Sequence, residues 1–218
     1  MAYVILNGWA RMHLHEPNRD VLKDPITEVE AARILEGQAA ASFQVPGGRV
    51  GFDGFANRGG KAILFVGVSD PCCSNVANEQ YMIDVAKKMG WDRLNRTARL
   101  YEVPGWGHCG GGTGPDDGQD RMLQALIDWV EKGKQPQGIV MHRGADRAQM
   151  MFANAAGASN AGVAIPQSKG GSRDFLVCPF PMVSVFDRSK SADPDAVYDA
   201  KNWSCRPSPP PKDKARTS

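Results

Sequence analysis

The stretch "KAILFVGVSDP", residues 61–71, is apolar from Ala62 to Val68 and then turns polar. A run that is apolar on both faces is typical of a central parallel strand covered by helices on each side. The segment that follows it, residues 74–90, has apolar residues near helical spacing, with Ser74 as the predicted N-cap and Gly90 beyond the end. The stretch therefore predicts a strand followed by a crossover helix.

The chain repeats this order downstream. A second strand is predicted over residues 98–103, and a helix capped by Asp116 or Asp117 ends before Gly133. The buried stripe predicted for that helix comprises Met122, Leu123, Leu126, Ile127 and Val130. A further strand is predicted at residues 138–143. The alternation of strands and helices predicts an α/β architecture with a parallel sheet.

The upstream part of the chain has a weaker pattern. Residues 1–24 show no clear period and are predicted to be irregular, although residues 1–20 are also typical of a strand or helix from the middle of a domain. Thr27 and Glu30 form a capping box at the start of a predicted helix that ends at Gly37. Residues 144–171 are small, polar and glycine-rich, as expected of a long loop.

Composition excludes several classes of protein. The 218 residues carry a net charge of +2, with 26 basic and 24 acidic residues, so no nucleic-acid partner is predicted. No segment reaches the roughly 18 apolar residues that a membrane span requires, so no membrane partner is predicted either. The first residues lack the basic leader and cleavage site of a signal peptide.

Two polar residues follow the two predicted strands. Asp70 comes after the first strand, and His108 lies in the glycine-rich loop "VPGWGHCGGGTGPDD" (103–117) after the second. The carboxyl ends of parallel strands carry functional residues, so these two resemble the acid and base of a nucleophile–His–acid triad. The nucleophile is the difficulty, because no G-x-S-x-G elbow occurs and neither Ser42 nor Ser159 has a suitable setting.

The cysteines leave other readings open. Cys72 and Cys73 lie near a predicted helix N-terminus, where a thiol is activated, so a cysteine-dependent hydrolase is one alternative. A zinc cluster of Cys72, Cys73, His108 and Cys109 is disfavoured, because adjacent ligands rarely fit one tetrahedral site. "GGGTG" lacks the lysine and hydroxyl of a phosphate loop. The cysteine total of five leaves at least one thiol without a partner within the chain.

The segments "RGGKAILFVGVSDP", "YEVPGWGHCGGGTGPD" and "FLVCPFPMVSVF…WSC" resemble the tannase and feruloyl esterase family of α/β-hydrolases. The resemblance implies the carboxyl-terminal portion of an esterase that cleaves aromatic acid esters with a serine triad. It implies that Asp70 is the acid and His108 the base. It also implies that Cys109 is half of a disulfide whose partner is missing, that Cys178 pairs with Cys205, and that Cys72 and Trp106 line the acyl pocket.

The same resemblance implies that other parts of the enzyme lie outside this chain. The family's serine, oxyanion donors and most of its lid domain, with a calcium site, should precede residue 1, so no cofactor is expected within the chain. An exposed sheet edge with self-association is expected, and family members are typically secreted or periplasmic. The remaining alternative is a non-catalytic remnant that binds aromatic ligands or a partner chain. The implied division is a lid remnant (1–50), a hydrolase core segment (51–145), a loop with a carboxyl-terminal extension (146–206) and a disordered tail (207–218).

Overall fold

The computed structural model describes residues 2–41, 52–70, 73–108, 112–144, 168–169 and 171–208. The chain divides into two units, Met1–Gly51 and Phe52–Ser218. The glycine-rich loop predicted at 144–171 and the tail predicted at 207–218 lie almost wholly outside the described residues. None of the helices in the described ranges has the length and apolarity needed to cross a bilayer.

The first unit contains two helices, α1 (Ala2–His13) and α2 (Glu28–Ala41). The irregular structure predicted for residues 1–24 is therefore wrong over α1, where the alternative of a helix is confirmed. The helix buries Ala10 and Asn7, and the Asn7 side chain accepts a hydrogen bond of 2.8 Å from the amide of Val21. A polar residue on the buried face hides the apolar period, which is why the sequence pattern does not show this helix.

The start of α2 follows the sequence prediction, although its end does not. The Thr27 hydroxyl accepts from the Glu30 amide, and the Glu30 carboxylate accepts from the Thr27 amide at 2.8 Å, as in a capping box. The helix continues past Gly37 to Ala41. A glycine inside a helix costs only about 1 kcal/mol, so it does not have to end one.

The second unit contains, besides short 3₁₀ helices within residues 188–202, the strands and the remaining α-helices. They are α3 (Asp53–Asn57), β1 (Ala62–Gly67), α4 (Asn75–Met89), α5 (Trp91–Asn95), β2 (Ala98–Val103), α6 (Gly118–Lys132), β3 (Ile139–Arg143), β4 (Arg173–Val177), β5 (Met182–Phe186) and β6 (Trp203–Pro207). The predicted first strand, crossover helix, second strand and final helix are confirmed as β1, α4, β2 and α6. Ser74 caps α4 as predicted, its hydroxyl accepting from the amide of Ala77.

The strands form three pairs. β1 and β2 are parallel, with Ala62 opposite Ala98 and Gly67 opposite Val103. β3 pairs antiparallel with β4, and β5 pairs antiparallel with β6. The amide of Phe180 donates to the carbonyl of Leu100, so the chain after β4 covers the outer edge of β2. Among the described residues, no strand pairs with the outer edge of β1.

The main core lies on one face of β2. Its buried members are Tyr101, Val103, Trp106, Met122, Ile139, Met141, Phe175 and Val177. On the other face, α4 contacts both parallel strands and buries Met82, Val85 and Ala86. Cover on both faces is typical of central strands, although Phe65 of β1 is 45% exposed and β2 carries Arg99 and Glu102.

The stripe predicted for α6 is wrong in part. Met122 is buried, but Leu123 and Val130 are 58% and 60% exposed, and the helix buries Trp129 instead. The second apolar side of α6 therefore faces away from the core.

Candidate active site

The loops that follow β1 and β2 are joined by backbone hydrogen bonds. The amide of Val68 donates to the carbonyl of Val103 at 3.0 Å, and the amide of Ser69 donates to the carbonyl of Trp106 at 2.9 Å. The amide of Asp70 donates a hydrogen bond to the carbonyl of Gly67, which closes a turn after β1. The parallel pairing is thus extended beyond the strands, and it carries Asp70 to the segment that holds His108.

Asp70 and His108 are in direct contact. The Nδ1 atom of His108 lies 3.1 Å from Oδ2 and 3.3 Å from Oδ1 of Asp70. The Asp70 side chain is only 5% exposed, whereas that of His108 is 39% exposed. A buried carboxylate on Nδ1 and an accessible ring leave Nε2 for a reacting group, which is how a triad presents its base.

Cys73 completes the group on the acid side of the imidazole. Its amide donates to Asp70 Oδ1 at 3.0 Å, and its Sγ lies 3.9 Å from His108 Nδ1. The thiol therefore faces the nitrogen that also faces the acid. A triad nucleophile faces the other nitrogen, so this geometry does not favour Cys73 as the nucleophile. Cys72 and Cys109 lie outside the described residues.

The resemblance implies that Trp106 lines the acyl pocket, but in the structure Trp106 lies in the main core and not at an open pocket. Its side chain is 1% exposed within the main core, its Nε1 donates to the carbonyl of Pro115 at 2.7 Å, and its ring meets that of Phe65 edge-on. The indole therefore holds the loop that carries His108, called the histidine loop below, against the main core.

The loop beyond His108 is held by an arginine that the sequence interpretation did not single out. The carbonyls of Gly112 and Gly114 accept from Arg143 Nη1 at 3.1 and 2.6 Å, and Arg143 is almost fully buried. Gly105 and Gly112 both have positive φ, which glycine adopts at little cost. An arginine that ends an apolar strand run is the signal that could have identified it.

Asp117 occupies the predicted cap position of α6, but its side chain makes no cap hydrogen bond. Its Oδ1 accepts from the amide of His142 at 2.6 Å, and its Oδ2 accepts from Arg121. Asp116 likewise accepts from the amide of Gly144. The two carboxylates attach the histidine loop to the end of β3, and this use competes with capping.

A second His–carboxylate contact lies elsewhere. His142 and Asp174 are directly opposed in the β3–β4 register, with Nδ1 2.7 Å from Oδ1. Both side chains are partly exposed, so the contact is explained as a cross-strand pair.

The disulfide expected from the resemblance is present. Cys178, just after β4, is bonded to Cys205 in β6. The bond ties the β5–β6 hairpin to the strand that packs in the main core. It lies outside the Asp70–His108 group, so its role is structural.

The described residues contain one group of three potential metal ligands whose donor atoms lie within 4.8 Å of one another, namely Asp70, Cys73 and His108. Calcium prefers six to eight oxygen ligands, so this donor set does not suit the calcium site of the family. A cleft of about 350 Å³ lies away from the group, lined by Ser168, Asp174, Asp193, Tyr198 and other polar residues.

Solved structures share the fold of this chain. Over 91% of this chain, an esterase from Aspergillus oryzae has a similar structure, with a TM-score of 0.63 and 23% identity. Feruloyl esterase B from Aspergillus oryzae matches 92% of the chain with a TM-score of 0.62 and 21% identity. The chain covers 36% and 37% of these two structures, respectively.

The sequence comparison identifies the family. The family described as tannase and feruloyl esterase matches residues 17–205, so the chain belongs to it. A probable feruloyl esterase B-1 from Aspergillus fumigatus is 35% identical over 123 residues, which is 48% of this chain and 23% of the relative. A mono(2-hydroxyethyl) terephthalate hydrolase from Piscinibacter sakaiensis is 40% identical over 85 residues, 39% of this chain and 13% of the relative. The chain thus spans less than a quarter of the length of these relatives.

Proposed function

We propose that this chain supplies the acid and the base of a carboxylic ester hydrolase that acts on esters of aromatic acids. The observation that carries the proposal is the 3.1 Å contact between His108 Nδ1 and the buried carboxylate of Asp70. Membership of the tannase and feruloyl esterase family supports ester hydrolysis. The relatives named for feruloyl and terephthalate esters support an aromatic acyl group.

The geometry suits a two-step acyl transfer. His108 takes the proton of a serine hydroxyl at Nε2 as the serine oxygen attacks the ester carbonyl carbon. Asp70 stays ionised, holds the proton on Nδ1 and stabilises the imidazolium. The proton then passes to the leaving alkoxide, and the same base activates water to cleave the acyl-enzyme. Protein groups alone supply this chemistry, so we propose that it uses no cofactor.

We further propose that the serine and its oxyanion donors come from sequence outside these 218 residues. The chain contains no G-x-S-x-G elbow, and it corresponds to a minor part of its relatives. The outer edge of β1, unpaired among the described strands, and the exposed apolar side of α6 are suitable surfaces for the remaining part of such an enzyme. When they are left uncovered, these surfaces favour self-association.

A secreted or periplasmic location is proposed for the enzyme. The Cys178–Cys205 bond supports it, because disulfides persist in oxidising compartments and are rare in the cytosol.

The test compares hydrolysis of methyl ferulate, methyl gallate and a nitrophenyl ester by two proteins. One is the 218-residue chain alone, and the other is a fusion that adds the serine-bearing part of feruloyl esterase B from Aspergillus oryzae at its amino end. We expect turnover from the fusion only. His108→Ala or Asp70→Asn should lower its kcat by about a thousandfold or more, whereas His142→Ala should leave it unchanged.

Circular dichroism verifies the folding of each protein. A folded, active fusion that is insensitive to His108→Ala would overturn the proposal, as would a folded fusion without turnover. Turnover by the chain alone that is lost in Cys73→Ser or Cys72→Ser would instead favour the cysteine-dependent hydrolase.

A further inference from the structure

The proposed hydrolysis does not use the Cys73 thiol, although this thiol lies next to the acid and the base. Its Sγ is 3.9 Å from His108 Nδ1, which is itself 3.1 Å from Asp70 Oδ2. All three donor atoms fall within 4.8 Å of one another. A thiol, an imidazole and a carboxylate at this spacing form three donors around one point.

The spacing matches a tetrahedral zinc ion. Zinc bonds of about 2.0–2.3 Å place two tetrahedral ligands about 3.3–3.7 Å apart. The Nδ1–Oδ2 and Nδ1–Sγ separations lie a few tenths of an ångström on either side of that range. The thiol can make the required shift, because Cys73 is exposed at the surface.

We propose that Asp70, Cys73 and His108 form a binding site for Zn²⁺ or a divalent ion of similar softness. Thiolate and imidazole ligands select such ions over magnesium and calcium. Asp70 is held in place by the Cys73 amide, and His108 is partly exposed, so the donor set is ordered and reachable from solvent. Three protein ligands leave a fourth position for water, as in open zinc sites.

The site differs from the four-residue cluster that the sequence disfavours. That cluster needs two pairs of adjacent residues as ligands, whereas this one uses a single cysteine and an aspartate from the preceding turn. The His142–Asp174 pair is an internal comparison, since it has the same imidazole–carboxylate contact but forms no group with a third His, Cys, Asp or Glu donor among the described residues.

Zinc at this site takes Nδ1 away from the Asp70 hydrogen bond. The ion binds Nδ1 of the neutral imidazole, whose single proton then lies on Nε2, and Cys73 binds as the thiolate, so the thiol proton passes to the solvent. His108 then has no acid partner. In an enzyme of the proposed kind, Zn²⁺ therefore acts as a reversible inhibitor. Binding itself requires no ester hydrolysis, so the two proposals can fail separately.

Cobalt is the spectroscopic probe for the test. Co²⁺ is titrated anaerobically into the 218-residue chain, and the thiolate-to-cobalt charge-transfer absorbance is followed, with Zn²⁺ added afterwards as a competitor. We expect one equivalent of Co²⁺ to bind and Zn²⁺ to displace it. Cys73→Ser should abolish the absorbance and weaken Zn²⁺ binding by at least the 10–100-fold that loss of an outer ligand partner costs.

The neighbouring thiols and the second histidine provide the controls. Cys72→Ser, Cys109→Ser and His142→Ala should bind Co²⁺ like the unaltered chain, whereas Asp70→Asn and His108→Ala should bind it more weakly. Circular dichroism verifies that each variant is folded. Absence of charge-transfer absorbance in the unaltered chain would overturn the proposal, as would its persistence in Cys73→Ser or its loss only in Cys72→Ser or Cys109→Ser.

Discussion

Gly67, the last residue of β1, lies against the backbone of the histidine loop. A Cβ there would meet the carbonyl oxygen of Trp106 and lie 2.7 Å from that of Gly107. We expect Gly67→Ala to destabilise the chain by about 1–3 kcal/mol, because neither strand nor loop can move without breaking its hydrogen bonds. Gly54→Ala is the control, since the nearest atom to its Cβ is the flexible end of Arg58. Urea unfolding measures both, and equal midpoints would contradict the close approach.

Glu102 gives a pH dependence to stability. It lies in β2 opposite Glu79 and Asn75 of α4, and its Oε1 is buried with no hydrogen-bond partner among the described residues. Burial, and then the charge of Glu79, raise the pKa of Glu102 to about 7. A carboxyl whose pKa is higher in the folded than in the unfolded protein binds more protons when folded. Stability therefore falls as pH rises from about 4.5 to about 7, and the penalty is complete above that range.

The Glu102→Gln substitution should remove that loss of stability. Each unit of pKa is worth about 1.4 kcal/mol, and partial solvent screening reduces the total to an expected gain of about 2 kcal/mol at about pH 8, with little gain below about pH 4. Free energies of unfolding in urea at both pH values provide the check. Glu131→Gln, on the exposed side of α6, is the matched control. The same difference between Glu102→Gln and the unaltered chain at both pH values would show that the buried charge has no such effect.

At the scale of single residues, the sequence predicted those site residues whose place in the chain, directly after a strand, indicates their place in the fold. Asp70 and His108 each follow an apolar strand, and parallel topology brings such positions together. The role of Arg143 and the buried environment of Trp106 were not predicted, because both depend on the packing of the histidine loop against β3. A pattern along one segment holds no information about the segment that will cover it.

At the scale of the elements, a disulfide attaches the β5–β6 hairpin to the end of β4. The Cys178–Cys205 bond closes a sequence separation of 27 residues. We expect Cys178→Ala/Cys205→Ala to lower stability by about 3 kcal/mol through the greater entropy of the unfolded chain. Thermal unfolding with and without reductant gives the measurement. The unaltered chain should lose stability on reduction and the double variant should not, and an identical Tm for the two would contradict this role.

The helices show which part of a fold a local pattern determines. α4 begins at its Ser74 cap, and α4 and α6 end at Gly90 and Gly133, all of which are local signals. The buried face of α6 was predicted wrongly because both of its sides carry apolar residues, and only the position of the main core selects the side of Met122 and Trp129. The antiparallel pairing of β3 with β4 was likewise missed, since the partner lies beyond a long glycine-rich segment.

At the scale of the whole molecule, the exposed apolar side of α6 predicts association between copies. Leu123 and Val130 lie on this side with more than half of each residue exposed, and α6 contacts β1, whose outer edge has no partner among the described strands. We expect sedimentation velocity to show oligomers whose fraction rises with concentration. Leu123→Glu/Val130→Glu should weaken association by at least about tenfold, because burying each such side chain is worth about 1.5–3 kcal/mol. Val76→Glu, equally exposed on α4, should not. A monomeric unaltered chain, or equal effects of both variants, would remove this face from consideration as the surface that the rest of the enzyme covers.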